Sequence, residues 1–324
     1  MYSRGRKAVT YAVARYFLAS WLLTYANQYF FGDEHDLDSF ALFMTWFQCA
    51  ASMSVFYFAP FLNMGPAFKL DPTVSREILP LSTVFIFMLL TNVYAIHHGE
   101  DTFYPVARSL TVILTVFLSY ATLGHVTSAV RMVSVGIMVW GYLLADTQEV
   151  LLTMNGSLSG ITTAAFVSVY AILVSQKLPS AGNSSWRLMQ HNFVNTTIGL
   201  IPILLLSGQF TGLFHVPQAF TLSFWIRLCL NGFLGGVVSI CMADLLQVTS
   251  PLTFAVSNMA KFGTQVLLMH VLLGQEMIFL DWVSILFIVG GVILYMLDRG
   301  VDTATTSTPH THESEVGAPL LNRP

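Results

Sequence analysis

Two cations stand where a membrane protein can least easily hold them. Lys261 lies nine residues inside the apolar run 252–274, and Arg108 lies five residues inside the run 103–123. A charge at the centre of a bilayer costs about 3 kcal/mol on insertion scales, so such residues mark ligand sites or conduction paths. One cation in each half of the chain therefore predicts a carrier for an anion. A guanidinium can clamp a phosphate through two parallel hydrogen bonds, whereas an ammonium acts as a compact point charge. Together they suit a phosphate monoester or a diphosphate.

Helical spacing shows what surrounds each cation. Tyr104, Arg108, Thr111, Thr115 and Ser119 recur every three or four residues and form one stripe; Ser257, Asn258, Lys261, Thr264 and Gln265 form another. Hydroxyls in membrane helices often bond their own backbone or a neighbouring helix, so the threonines stand as packing residues as readily as ligands. A third polar patch, Gln190, His191, Asn192, Asn195 and Thr196, opens a later apolar run. Its amides either read the edge of a base or sugar, or tie two helices together. Asn27, Gln28 and Asn92 are further polar positions within apolar segments.

The elements that must position these residues follow from composition. With 55% hydrophobic and 10% charged residues and a mean hydropathy of +0.66, the chain has more apolar surface than a water-soluble core can hide. Ten apolar runs of the length that crosses a membrane are predicted near 10–31, 40–64, 77–97, 103–123, 128–146, 157–176, 188–208, 222–246, 250–274 and 280–298. The expected fold is an all-α polytopic membrane protein. Residues 1–9 form an N-terminal segment, 10–300 the ten-helix domain, and 301–324 a polar, disordered tail. The first run, led by Arg4, Arg6, Lys7 and Arg15 and lacking a small-residue cleavage site, is expected to be a retained anchor.

Basic residues set the orientation. Under a ten-span arrangement Lys69, Arg76, Arg131, Lys177 and Arg187 share the side of the N-terminus, while acids such as Asp33, Glu34, Glu100, Asp101 and Glu149 share the other. The positive-inside rule then places both termini in the cytosol. The fourth and ninth runs resemble each other at a separation of roughly 150 residues. Both begin Thr-Phe, carry a cation, and end Leu-Gly. An odd number of helices per half makes the second repeat, 157–298, inverted relative to the first, 10–146, which puts a substrate site at the midplane between them.

Other chemistries find little support. No metal-binding His-Glu-x-x-His helix, nucleophile elbow or phosphate-cradling loop occurs, so neither enzyme activity nor a metal or other cofactor is expected. Cys49, Cys229 and Cys241 all fall inside apolar runs and predict buried free thiols. A net charge of −3, with cations distributed as topology requires, argues against nucleic acid as a partner. Gly232, Gly235, Gly236, Gly290 and Gly291 allow close helix approach, either within one chain or in a homodimer.

Three stretches carry a family resemblance: Phe103-Tyr-Pro-Val-Ala-Arg-Ser-Leu-Thr, Lys177-Leu-Pro-Ser-Ala-Gly-Asn-Ser-Ser-Trp-Arg-Leu, and Thr249-Ser-Pro-Leu-Thr-Phe-Ala-Val-Ser-Asn-Met-Ala-Lys. The chain resembles the nucleotide-sugar and triose-phosphate transporters of the drug/metabolite transporter superfamily, and within them most closely the GDP-fucose transporters. That resemblance implies a Golgi or ER carrier that exchanges a cytosolic nucleotide-sugar for a lumenal nucleoside monophosphate, embedded in membrane lipid. Lys261 matches the lysine that ends the family's ninth-span motif, with Asn258 and Ser257 beside it, and Arg108 matches the fourth-span arginine. His191 and Asn192 match the Tyr-Asn of the seventh-span motif associated with guanine recognition.

The departures concern recognition of base and sugar rather than phosphate. Phe193 stands where that motif has a second Asn, Pro105 replaces an Asn, Gln28 replaces a lysine, and Glu100-Asp101 occupies a usually apolar approach. Two other functions therefore stay open: exchange of a sugar phosphate for phosphate, and a non-transporting membrane scaffold.

Overall fold

The structure, a computed structural model, describes residues 2–31, 40–58, 60, 65–67, 69–97, 104–124, 127–145, 154–209, 220–273 and 278–298. Among these residues the chain forms ten long α-helices: α1 (Tyr2–Phe31), α2 (Ala41–Phe58), α3 (Pro72–His97), α4 (Tyr104–Leu123), α5 (Ala129–Ala145), α6 (Met154–Lys177), α7 (Ser185–Ser207), α8 (Leu222–Val248), α9 (Pro251–Leu273) and α10 (Phe279–Leu297). Four stretches, Ala41–Phe58, Pro72–Tyr94, Leu222–Val248 and Phe279–Leu297, are long and apolar enough to cross a membrane on composition alone. α7 and α9 carry polar residues inward. His191, Asn192 and Thr196 of α7 are fully buried, and Lys261 of α9 is 8% exposed.

The outer surface is the reverse. Leu206 is 90% exposed and Leu222, Phe279 and Met296 nearly as much. A surface of bare leucine and phenylalanine around a polar interior is stable in lipid and would aggregate in water.

Hydrogen bonds between helix ends fix the direction of the chain. At one face the start of α3 meets the start of α7, where the Asp71 N–H donates to His191 Nε2 at 3.1 Å. The start of α7 meets the end of α8 there, since Ser185 Oγ donates to Asp244 Oδ1 at 2.6 Å. The start of α5 likewise meets the end of α10, through Ser128 and Asp298. At the opposite face the end of α1 meets α8, as Arg227 donates to the Phe30 carbonyl at 2.9 Å. Odd-numbered helices thus begin at the first face, which carries Lys69, Arg76, Arg131, Lys177 and Arg187.

Helix partnerships repeat when each helix is exchanged for the one five places away. The α1–α8 contact corresponds to α6–α3, α2–α8 to α7–α3, and α9–α10 to α4–α5, while α2–α7, α4–α9 and α5–α10 map onto themselves. A shift of five reverses helix direction, so the two halves are inverted. Among the described residues the symmetry breaks most at one pair of helices. α4 packs closely along α6, whereas the matching pair α1 and α9 meets over a short stretch only.

The link between α6 and α7 is a tight reversal. A 3-10 turn at Pro179–Ala181 leads into Gly182 and Asn183, whose φ angles of 69° and 55° lie in the left-handed region. Ser184 then caps α7 by accepting from the Arg187 N–H. Asp71 caps α3 in the same way, accepting from the Thr73 N–H and hydroxyl at 3.0 and 2.7 Å. These donors hold its carboxyl below the usual carboxylate range. The stabilisation from that cap is present above the unfolded carboxylate pKa and is lost as pH falls through the lowered folded value.

The glycines pack within the chain. A Cβ on Gly232 of α8 would lie 2.6 Å from the Ala51 Cβ and 2.7 Å from the Gln48 carbonyl of α2. Ser52 completes the crossing by donating to the Gly232 carbonyl at 2.7 Å. Between α5 and α10 the arrangement is reciprocal: Gly141 lies against Ser284 and Phe287, and Gly291 against Ser134 and Met138. Gly290 has nothing within 4 Å of its missing Cβ. Close approach through Gly232, Gly236 and Gly291 is accordingly used inside the monomer.

Candidate functional site

A cavity of about 220 Å³ lies where α1, α3, α4, α6, α8 and α9 converge. Lys261, Asn258 and Thr111 of the predicted set line it, together with Tyr16, Phe85, Asn92, Thr163, Tyr170 and Phe254. Lys261 sits nearly three turns into α9, well away from either helix end. Its ammonium lies 5.2 Å above the centre of the Tyr16 ring, whose negative face offsets part of the cost of burying the charge. The same Tyr16 hydroxyl donates to Asn258 Oδ1 at 3.2 Å, and its ring packs 5.6 Å from Phe254. These contacts are the short α1–α9 crossing, so the cavity lies beside the place where the inverted symmetry is broken.

Tyr170 forms the opposite wall. Its ring stacks on Phe85 at 5.0 Å with the planes 26° apart. An anion held at Lys261 would thus lie among aromatic rings that exclude water and strengthen the electrostatic attraction. A second cavity, also about 220 Å³, shares Phe85 and Ser239 with the first and is lined by Asn27, Gln48, Asn231 and Phe193 among others. Two adjoining polar spaces suit an elongated ligand.

The seventh-helix patch does something else. His191 is fully buried, accepts the Asp71 N–H at Nε2, and through Nδ1–H donates to the Arg187 carbonyl at 2.8 Å. Asn192 accepts from Ser82 at 3.0 Å and donates to the Tyr170 hydroxyl at 3.2 Å. Asn195 donates to the Ser75 carbonyl at 2.9 Å, and Gln190 to that of Lys69 at 2.9 Å. Every bond but that to Tyr170 and the His191 bond to its own helix runs to α3 or the segment leading into it. Of the two uses open to these amides, helix joining is the one seen here. Asn192 touches the first cavity only through Tyr170, and His191 and Asn195 line neither cavity.

This arrangement makes a prediction. His191→Leu removes the acceptor for the Asp71 N–H, and an unpaired polar group costs about 1–3 kcal/mol. Thermal stability should fall by that order while ligand affinity of the folded fraction stays unchanged. Full stability with altered base preference would instead show that His191 reaches ligand.

Other predicted residues divide similarly. Ser257 turns back to the Thr253 carbonyl at 2.8 Å, and neither it nor Gln265 lines the cavity. Thr115 is buried against Ser168 of α6 at 3.1 Å, so this part of the α4 stripe is an interhelix contact. Tyr104 and Arg108 belong to α4, and their side chains lie outside the described residues. Asp244, the lone acid well within a predicted span, pairs with Arg15 at 3.3 Å and not with a cavity cation.

Tyr16, Tyr170 and Thr163 were not singled out by sequence reasoning. The aromatics sit in helices rich in aromatic residues and carry no periodic signal, although Tyr16 follows Arg15, the first cation inside a predicted span. Of the histidine and acid positions at 98–101, none lies among the described residues, and among the described residues no cluster of His, Cys, Asp or Glu could hold a metal. All three cysteines are free, with Cys49 and Cys241 buried and Cys229 exposed.

Known proteins place this geometry in context. A solved structure at 15% identity superposes with a TM-score of 0.64 over 88% of this chain and 98% of its own, a likeness of fold. The GDP-fucose transporter of Caenorhabditis elegans is 30% identical over 95% of this chain and 88% of its own length. GDP-fucose transporter 1 of Mus musculus is 29% identical over 96% and 88%. A UDP-sugar transporter of Caenorhabditis elegans is 25% identical over 78% and 75%. Residues 11–295 match the model of the Triose-phosphate Transporter family. An all-helical, polytopic chain with a cation buried beside a central cavity, matched by that family over nearly its whole helical domain, belongs to the Triose-phosphate Transporter family and is a transporter rather than an enzyme.

Proposed function

We propose that this protein is a nucleotide-sugar antiporter of the Golgi membrane, moving a GDP-sugar, GDP-fucose in the first instance, into the lumen in exchange for a nucleoside monophosphate. The observation that carries the reading is Lys261, 8% exposed, lining a midplane cavity in a family of transporters. A buried ammonium among aromatic walls suits an anionic ligand, and the nucleotide phosphates supply one. Arg108 lies one helical turn before Thr111 on α4, a helix that packs on α9, which supports a second grip on the same phosphates. The adjoining cavities and their neutral polar linings favour a ligand longer than a triose phosphate.

Relatives named as GDP-fucose transporters support the choice of base and sugar. The basic face at which odd-numbered helices begin supports cytosolic termini by the positive-inside rule. Ten crossings follow from that alternation, with the two inverted halves rocking about the cavity to give alternating access.

Uptake of labelled GDP-fucose into proteoliposomes tests the reading. Preloading with GMP should accelerate uptake, and external GMP should compete where phosphate and triose phosphate do not. Competition by phosphate and triose phosphate without GMP would assign a sugar-phosphate exchanger instead. Absence of binding by any nucleotide or phosphate ester would leave a scaffold.

A further inference from the structure

Two oxygen atoms in the Lys261 cavity are buried without any protein partner. Asn92 Oδ1 on α3 and Thr163 Oγ1 on α6 are shut off from solvent and make no hydrogen bond. Both residues line the cavity, and α3 and α6 pack against each other. Thr163 is 7% exposed. Among the described residues Thr196 and Thr197 share this state, but other threonines do not. Thr45, Thr83, Thr115 and Thr122 each turn their hydroxyl onto the carbonyl four residues back, at 2.6 to 2.9 Å, and so cost nothing when buried.

A buried polar group left unpaired in the ligand-free protein destabilises it by about 1–3 kcal/mol. An amide carbonyl accepts hydrogen bonds and cannot donate them. Phosphate oxygens at neutral pH accept as well, so the anion that Lys261 attracts offers Asn92 Oδ1 nothing. The ligand group that satisfies it must carry O–H or N–H donors and no charge. The cavity is therefore polarised, with the cation on α9, a donor-seeking carbonyl on α3 and, on α6, a hydroxyl that can accept or donate.

We infer that Asn92 and Thr163 form a specificity subsite that receives the neutral, donor-bearing part of the substrate while Lys261 holds its phosphate. The inference rests on the antiporter reading above and deepens it. Two parts of a nucleotide-sugar carry such donors: the hydroxyls of the sugar, and the N–H groups of the base with its ribose.

Binding of GDP-fucose and GMP to purified Asn92→Leu, Thr163→Val and Thr163→Ser proteins tests the subsite. Neither oxygen has a protein partner, so all three variants should melt, without ligand, at or above the wild-type temperature. Asn92→Leu and Thr163→Val should each weaken GDP-fucose about fivefold to tenfold, the worth of a neutral hydrogen bond, and Thr163→Ser should restore wild-type affinity. Loss confined to GDP-fucose assigns the subsite to the sugar; equal loss with GMP assigns it to the nucleoside. Wild-type affinity for both ligands in the Leu and Val variants overturns the subsite and leaves the antiporter reading standing. A wild-type protein that binds neither ligand overturns the antiporter reading itself.

Discussion

Replacing Lys261 by alanine is expected to abolish transport, lowering uptake of nucleotide-sugar by about a hundredfold or more, while the protein still folds and reaches its membrane. The size follows from the site. A charge pair desolvated in a closed cavity loses about 2–5 kcal/mol when one partner is truncated, because the other charge is left without compensation. Here that other charge is the ligand's own phosphate. Removing a buried ammonium relieves a desolvation cost, against which stands the cation–π contact at 5.2 Å with Tyr16, worth about 0.5–2 kcal/mol. Ligand-free stability should consequently change little. Lys261→Arg should fail as well, since a planar guanidinium cannot occupy the space of an ammonium above Tyr16 without displacing the ring. Uptake at the wild-type rate by Lys261→Ala protein would remove the proposed site.

The second large effect concerns stability, and it reverses an ordinary rule. Gly to Ala inside a helix gains roughly 1 kcal/mol from propensity. At Gly232 the added Cβ would lie 2.6 Å from the Ala51 Cβ and 2.7 Å from a backbone carbonyl of α2, distances at which a helix must move. Overpacking of that kind costs about 1–3 kcal/mol for small changes and more for branched side chains. It would also disturb the Ser52 hydrogen bond to the Gly232 carbonyl. Gly232→Val should therefore yield little folded protein. Gly290→Ala is the matched control, with open space around its Cβ, and should be neutral or stabilising. Equal melting temperatures for Gly232→Val and wild type would show that α2 and α8 do not cross as closely as described.

Much of the architecture was legible in the sequence because hydrophobic length and cation placement are strong signals. The ten apolar runs correspond in order to the ten long helices, and the basic positions 69, 76, 131, 177 and 187 collect at one face. Boundaries differed most in α1, where the helix extends back to Tyr2 through polar residues that an apolar-run criterion excludes; the end of the second run, 59 and 61–64, lies outside the described residues.

The site was legible in part. Lys261 announces itself because a charge in an apolar run has few structural explanations. Asn258 and Thr111 followed from helical spacing, and both line the cavity. The α7 patch lies against α3 rather than lining the cavity, and sequence could not show that. Amides and imidazoles offer the same donors and acceptors to a ligand as to a neighbouring helix, and spacing along α7 cannot say that α3 lies against that face. Ser257 and Gln265 likewise lie off the cavity, since a stripe three or four residues apart is wider than the portion of it that meets the cavity. Asn92 had no stripe around it, and its importance emerges only when α3 is seen to bring it beside Thr163.

The measurement that bears most directly on the central claim is a thermal-shift comparison of purified wild-type and Lys261→Ala protein against GMP, UMP, CMP, phosphate and triose phosphate. A ligand that binds only the folded state adds about 2.7 kcal/mol at a hundredfold excess over Kd. Phosphate binding at Lys261 predicts a clear shift with GMP on the wild type, little with the other compounds, and none on Lys261→Ala. An undiminished GMP shift in the Lys261→Ala protein, or no shift with any nucleotide on the wild type, would contradict it.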